Sequence, residues 1–298
     1  MRAAGERTVG PGRSYPCGGC RASGGPAVDR RRAGPVAAQW QHGAVPPSRT
    51  SDPLAPLLDL PGVAEAVTRA RDAVAAVHNH PMNARQGWPA GAAEASLRAA
   101  RASAALDGAP FGTAPEPGRP VADPVLAGAI RAAEEIGRLL RVWTTAPLQA
   151  IARLHVVAAA DLVPADRHAT ELGRPRADGG VAARLGLLAD LVVGGTSVPA
   201  PVLTAVVHGE LLALAPFPTA NGVVARAASR LAAVAAGLDP KGLAVPEIGH
   251  LRRTREYRAA ADGFAAGTPD GVRGWLLHCC EQWEAGGQEG LAIANARS

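Results

Sequence analysis

The sequence of 298 residues contains a single lysine, Lys241, four cysteines and only 3% aromatic residues. Four cysteines in a chain of this length cannot form a disulfide framework, and they favour a reducing compartment. Scarce aromatic rings leave few platforms on which nucleic-acid bases could stack. No apolar run reaches the roughly 20 residues of a membrane span, and none has the pattern of a signal peptide. We therefore expect a cytoplasmic protein with no membrane partner.

The net charge of +5 and the pI near 9.5 would suit a nucleic-acid-binding protein, but the excess charge lies in one segment. Residues 1–52 contain eight arginines and three acidic residues, so the rest of the chain is neutral. Nucleic-acid-binding domains need a basic patch on their folded part. We expect no nucleic-acid partner. Residues 1–52 are also rich in Gly, Pro, Arg and Ser without a hydrophobic period, and this composition predicts a disordered basic tail.

The cysteines do not have the spacing of a metal site. Cys17 and Cys20 could form one half of a zinc site, but Cys279 and Cys280 are adjacent in sequence. A structural zinc site needs two suitably spaced pairs of ligands. We therefore expect no bound metal, and we interpret the second pair as small buried hydrophobic residues.

Residues 53–298 have the pattern of an all-α domain. Apolar residues recur three and four positions apart between Pro and Gly residues, and signals for strands are minimal. Asp123 before Pro124 is typical of a helix start. The predicted helices are Gly62 to Val77, Ala90 to Leu106, Asp123 to Val142, Pro147 to Leu162, Val181 to Val193, Ala200 to Leu214, Asn221 to Gly237, Glu247 to Ala266 and Pro269 to Glu284.

The most informative segment lies before and within the predicted helix that begins at Asn221. It reads Ala-Leu-Ala-Pro-Phe-Pro-Thr-Ala-Asn-Gly-Val-Val-Ala-Arg over residues 213–226. Phe217 places an aromatic anchor in a proline-rich loop. The free N–H groups of the helix that starts at Asn221 and Gly222 favour an anion. Arg226, one turn into the helix, could add a charge-assisted contact to a phosphate.

This segment resembles the signature of the Fic (Fido) family, His-x-Phe-x-Asp/Glu-Gly/Ala-Asn-Gly/Lys-Arg-x-x-Arg. The matching residues are Pro216, Phe217, Ala220, Asn221, Gly222 and Arg226. The departures fall on the family's catalytic positions. Ala215 replaces the His that acts as general base, Thr219 replaces the magnesium-binding acid, and Val223 replaces the first Arg.

Two further segments strengthen the resemblance. Ser103, Asp107 and Gly108 match the family's inhibitory motif, Ser/Thr-x-x-x-Glu-Gly/Asn, with Asp in place of Glu. His208 stands seven residues before Ala215, as a histidine does in the family's helix segment. The resemblance implies a Fic-like helical bundle with an inhibitory segment near residues 103–108.

A weaker similarity concerns the region that precedes the family's target-docking flap. Leu154-His155, followed by Gly173 to Arg176, resembles the family's helix and its Gly-x-x-Arg. Only about residues 176–181 separate this motif from the next predicted helix, which leaves little room for a hairpin that pairs with a target strand. Altogether the resemblance covers about residues 53–285.

The family transfers AMP, or another phosphate-containing group, from a nucleotide to a protein hydroxyl. Alanine has no basic atom, and a neutral threonine is a weak magnesium ligand without a companion acid. Our first hypothesis is a degenerate Fic domain that binds or regulates rather than transfers AMP. Its pocket would be formed by Phe217, Asn221, Gly222 and Arg226, with a nucleotide such as ATP or another phosphate as ligand, and with a protein as further partner.

Two other hypotheses remain open at this point. An active adenylyltransferase, or a related nucleotidyl or phosphoryl transferase, could use another base, and His208 is the nearest ionisable candidate. Its position on an amphipathic helix nevertheless favours a packed or hydrogen-bonded histidine of the core over a base. The pocket could instead bind an unrelated metabolite. Arg226 is interpreted either as a phosphate ligand or partner of Asp107, or as a helix-surface arginine. Asn221 is expected to cap its helix.

Overall fold

The helices of this protein were located in a computed structural model that describes residues 52–84, 87–111 and 120–298. Those residues form helices and connecting loops without a strand, so the predicted all-α class is confirmed. Short 3₁₀-helices span Ala55–Asp59 and Ala165–Arg167. The α-helices are α1 (Val63–Asn79), α2 (Pro81–Ala84), α3 (Trp88–Leu106), α4 (Pro124–Trp143), α5 (Pro147–Ala159), α6 (His168–Glu171), α7 (Gly179–Asp190), α8 (Ala200–Leu214), α9 (Asn221–Ala235), α10 (Pro246–Arg252), α11 (Thr254–Ala265) and α12 (Pro269–Asn295).

Helix α9 is the central element of the fold. Every residue from position 223 to position 233 is buried, including Arg226 and Arg230. Helices α3, α4, α5 and α8 surround it, and its many alanines let these neighbours approach closely. One apolar cluster joins α9 to α4 and α5, and a second joins α1, α8 and α12. A helix buried on all sides holds the residues of its first turn in fixed positions.

Helix α12 continues to Asn295, well past its predicted end at Glu284. The added length contains Gly286, Gly287 and Gly290, which are sites of close packing. A Cβ on Gly286 would lie 2.6 Å from the backbone nitrogen of Pro246, and one on Gly287 would lie 2.8 Å from the carbonyl oxygen of Ala73. The glycines therefore let α12 lie directly against backbone of its neighbours.

Two other predicted helices are interrupted. The stretch Glu247 to Ala266 forms α10 and α11 because Arg253, with φ −118° and ψ 44°, leaves the helical region. The stretch Val181 to Val193 ends as an α-helix at Asp190 and continues as a π-helical segment, Leu191–Gly195. Hydrophobic periodicity continues through both interruptions, so the pattern alone did not reveal them.

Residues 1–51 lie outside the described ranges, so the disorder predicted for residues 1–52 stays a prediction. Asp52, the last residue of the predicted tail, is tied to the loop before α8. Its carboxylate accepts hydrogen bonds from the hydroxyls of Thr196 (2.7 Å) and Ser197 (2.9 Å). These contacts and the bond from the Ser197 N–H hold the pKa of Asp52 well below its usual value. None of the described helices has the length and apolar content of a membrane span.

Gly128 sets the crossing of α4 and α5. A Cβ at this position would lie 2.0 Å from the carbonyl oxygen of Ala158, whereas one on Gly137, also on α4, would meet no atom within 4 Å. We predict that Gly128→Ala lowers the free energy of unfolding by about 1–3 kcal/mol through overpacking. Gly137→Ala is the matched control and should raise it by about 0.5–1 kcal/mol. Chemical denaturation measures both; equal effects would contradict this packing.

Candidate functional site

The loop from Ala215 to Ala220 connects α8 to α9 and is held by Asn221. Ala215 and Ala220 have left-handed backbones, with φ of 40° and 56°. The Asn221 Oδ1 accepts from the Phe217 N–H (2.9 Å), and its Nδ2 donates to the Phe217 carbonyl (2.8 Å). The expectation that Asn221 caps its helix is therefore wrong: its side chain closes the loop. The N-cap residue is Ala220, which has no side chain that could accept from the helix.

Phe217 anchors the loop in the core. It is 2% exposed and stacks on His155 of α5 with ring centroids 4.0 Å apart and planes 3° apart. The His155 Nδ1 accepts the Gly173 N–H (2.9 Å). Burial lowers the pKa of His155 to about 4, so the ring is neutral at pH 7. His155, which the sequence placed near the family's target-docking flap, thus supports the loop through Phe217.

Asp107 places a carboxylate against the first turn of α9. It follows the last residue of α3, and its Oδ2 accepts the Val223 N–H (3.0 Å). Its Oδ1 accepts from the Arg226 Nη2 (2.8 Å). Gly222 makes this approach possible, because a Cβ there would lie 2.3 Å from Oδ1. The N-terminus of α9 therefore holds an anion that the chain itself supplies.

Arg226 lies at the centre of this contact. Only 3% of it is exposed, so its interpretation as a helix-surface arginine is wrong. Its Nε donates to the Ser103 hydroxyl (2.8 Å), its Nη2 also to the Ser103 carbonyl (2.8 Å), and its Nη1 to the Tyr257 hydroxyl (3.2 Å). The structure thus brings Ser103 and Asp107 of the inhibitory-like segment onto Arg226. Gly108, with φ 100°, ends the segment in a conformation that favours glycine.

His208 lies behind Arg226, inside the helical core. It is 2% exposed, and its Nε2 is 2.9 Å from the Tyr257 hydroxyl. The rings of Trp275 and His250 pack against it at centroid distances of 5.0 and 5.3 Å. Burial holds the pKa of His208 well below its usual value. It reaches Arg226 only through Tyr257 and does not project toward Asn221, which a base at this site would require.

Sequence reasoning missed the residues around His208. Tyr257 lies in the arginine-rich stretch of residues 252–258. Arg252 and Arg253 do pair with Glu289 and Glu281 at the surface, but Tyr257 is 5% exposed and faces inward. Burial raises the pKa of its hydroxyl to about 12. One aromatic residue within an arginine-rich helix was the signal available.

The segment before α7 is tied to the same loop. The backbone N–H of Arg176 donates to the Pro216 carbonyl (2.8 Å), and its Nη2 donates to the Leu214 carbonyl (2.8 Å). Only Ala177 and Asp178 separate Arg176 from α7. Residues 173–190 therefore pass from the loop into a helix without a hairpin.

The residues around the loop do not fit magnesium. Thr219, at the position of the family's metal-binding acid, has a buried hydroxyl without a hydrogen-bond partner. The carboxylate of Asp107 is already bound by Arg226 and the N-terminus of α9. Within the described ranges, no group of three or more His, Cys, Asp or Glu side chains could hold a metal ion. Magnesium needs carboxylate or phosphate oxygens, which one neutral hydroxyl does not replace.

The fold is that of Fic proteins. A segment of Fic-1 from C. elegans superimposes with a TM-score of 0.61 at 17% identity, over 82% of this chain and 76% of that one. A Fic family protein from Desulfovibrio desulfuricans G20 superimposes with a TM-score of 0.57 at 16% identity, over 78% and 74%. No protein-family model and no curated protein matches the sequence. The likeness at these identities concerns the fold.

The contact between Gly222 and Asp107 predicts that a side chain at position 222 destabilises the fold only when the Asp107 carboxylate is present. Gly222→Ala should lower the free energy of unfolding by about 1–3 kcal/mol, because its Cβ displaces the carboxylate from the helix and from Arg226. In the Asp107→Ala variant, the same substitution should change the free energy of unfolding only slightly. Denaturation of the four variants measures this coupling. Gly274→Ala, where a Cβ meets no atom within 4 Å, is the control; additive effects would contradict the contact.

The stack of His155 on Phe217 predicts a pH dependence. The folded pKa of about 4 lies below the reference value of 6.5, so the unfolded chain takes up the proton first as the pH falls. The stabilisation is therefore present above about pH 6.5 and is lost between about pH 6.5 and 4. Unfolding free energies measured across this range should fall less steeply in His155→Gln, by up to about 1.4 kcal/mol per pH unit. Parallel curves would contradict the assignment.

Proposed function

We propose that this chain is a degenerate Fic domain that does not transfer AMP and serves as a binding or regulatory module. One observation carries the proposal. The carboxylate of Asp107 lies on the N-terminus of α9 and on Arg226, where the resemblance places the phosphates of a nucleotide. In this proposal, an anion of the chain competes with the ligand's phosphate for the same position.

The absence of a base at the loop supports the loss of transfer. Ala215 stands at the position of the family's general base, and general-base catalysis is typically worth about 10²–10⁴-fold in rate. His208, the nearest ionisable candidate, is buried behind Arg226 and bonded to Tyr257. His155 is fully buried under Phe217. Within the part of the chain that the structure describes, neither histidine is placed to take the proton of a target hydroxyl at the loop.

The same geometry supports a role in binding. Arg226 is buried, while the side chain of Asp107 is 25% exposed, so the guanidinium can be reached by displacement of that carboxylate. Withdrawal of the end of α3 would expose the Val223 N–H, the start of α9 and Arg226 to a phosphate. A phosphate-bearing ligand such as ATP would then compete with Asp107, and the position of α3 would report the outcome to a protein partner.

Labelled ATP tests this proposal on the full chain. We expect no transfer of AMP to the protein by the wild type or by Asp107→Ala. In a titration, Asp107→Ala should bind ATP at least about tenfold more tightly than the wild type, because it removes a competing anion that one charge-assisted contact holds. Asp166→Ala removes an exposed carboxylate elsewhere and should bind like the wild type.

Two results would contradict parts of the proposal. Robust labelling by the wild type that Arg226→Ala or Asn221→Ala abolishes would identify an active transferase, the alternative function. Unchanged ATP affinity in a folded Asp107→Ala variant would mean that the anion site does not serve a nucleotide. After the second result, the likeness to Fic proteins would extend to the fold alone, and any ligand of the anion site would be of another kind.

A further inference from the structure

A groove on another face of the bundle has the size of a small-molecule site. It lies between α3, α4 and the connection from α9 to α10, and its volume is about 460 Å³. Cavities of about 300–1,000 Å³ are typical of small-molecule sites. The residues that matter for its chemistry are Trp88, Ile136, Gly137, Leu140, Arg230 and Lys241. We refer to it as the Trp88 groove.

One positive charge in the Trp88 groove has no carboxylate partner within the described residues. The Lys241 ammonium donates to the Asn83 carbonyl (2.8 Å) and stands 6.0 Å from the centre of the Trp88 ring. The acidic group that also lines the groove, Asp239, is bound by His78 and by two backbone N–H groups. Two of the three Lys241 donors therefore remain for an anion beside an aromatic face.

Arg230 adds a second polar feature. It is 7% exposed, and its Nη1 donates to the Ala244 carbonyl (2.9 Å) and to Glu247 (3.2 Å). Its Nε is buried without an acceptor. A buried N–H that lacks an acceptor is costly, and a ligand oxygen that reaches it through a shift of the guanidinium toward the groove would satisfy it. Because Glu247 already balances the charge of Arg230, this acceptor can be neutral.

We propose that the Trp88 groove binds a small apolar carboxylic acid that carries a second, neutral oxygen. The carboxylate contacts the Lys241 ammonium. The apolar body packs against Trp88 and along Ile136 and Leu140. The second oxygen accepts a hydrogen bond from the Arg230 Nε. The proposal does not depend on the proposed function, because the residues that recognise the ligand are separate from Asp107, Asn221 and Arg226.

Isothermal titration of the full chain tests the ligand class. The probes are 4-hydroxyphenylacetate, 3-(4-hydroxyphenyl)propionate and 4-(4-hydroxyphenyl)butyrate, which vary the distance between the two polar ends. We expect saturable binding of at least one acid. Its primary amide should bind about tenfold more weakly or worse, since it lacks the charge that Lys241 recognises. The analogue without the hydroxyl should bind several-fold more weakly.

Three variants locate the binding. Lys241→Met removes the ammonium and should weaken binding about tenfold or more. Gly137→Phe fills the groove from α4 and should abolish binding while the protein stays folded, because a Cβ at this position meets no atom within 4 Å. Arg255→Met removes an exposed positive charge outside the groove and should bind like the wild type.

The single lysine provides an independent readout. Acetylation of Lys241, followed by peptide mass spectrometry, should slow several-fold when the best acid is saturating. No saturable binding by any of the acids at millimolar concentration would overturn the proposal. It would equally be overturned if the amide bound as well as the acid, or if Lys241→Met and Gly137→Phe bound like the wild type.

Discussion

The ion pair between Asp107 and Arg226 is the contact on which the rest of the site depends. Arg226 keeps its charge at any physiological pH and is buried in the central helix, so the fold must supply a compensating anion. Asp107 supplies it from the end of α3 and also accepts the Val223 N–H of α9. One carboxylate therefore compensates a buried charge and satisfies a free N–H of α9.

The surroundings of this pair fix the geometry of the site. On one side, Asn221 and His155 hold the loop through Phe217. On the other side, the Tyr257 hydroxyl is hydrogen-bonded to both Arg226 and His208. His208 belongs to a cluster of neutral, buried rings. The start of α9 and Arg226 hold the carboxylate of Asp107. Ala215 and Thr219 stand at the positions that the resemblance gives to the general base and the magnesium-binding acid.

The residues whose contacts could be predicted from the sequence are those that match a motif of the Fic family. The resemblance at Ser103, Asp107 and Arg226 led to the correct neighbours, because these residues carry a pattern with fixed spacing. The amphipathic pattern around His208 also favoured its observed place in the core, whereas the role of Asn221 depended on how the backbone of the loop packs in three dimensions. The length of α12 was missed because its glycines are contacts between helices, and a sequence does not distinguish such glycines from breakers.

A double-mutant cycle between Asp107 and Arg226 tests the central claim most directly. The free energies of unfolding are measured for the wild type, Asp107→Asn, Arg226→Gln and the double variant. If the carboxylate holds the buried guanidinium, the sum of the two single losses should exceed the loss in the double variant by at least about 1.5 kcal/mol. Losses that add to within about 0.5 kcal/mol would contradict the account, because the two side chains would then act independently.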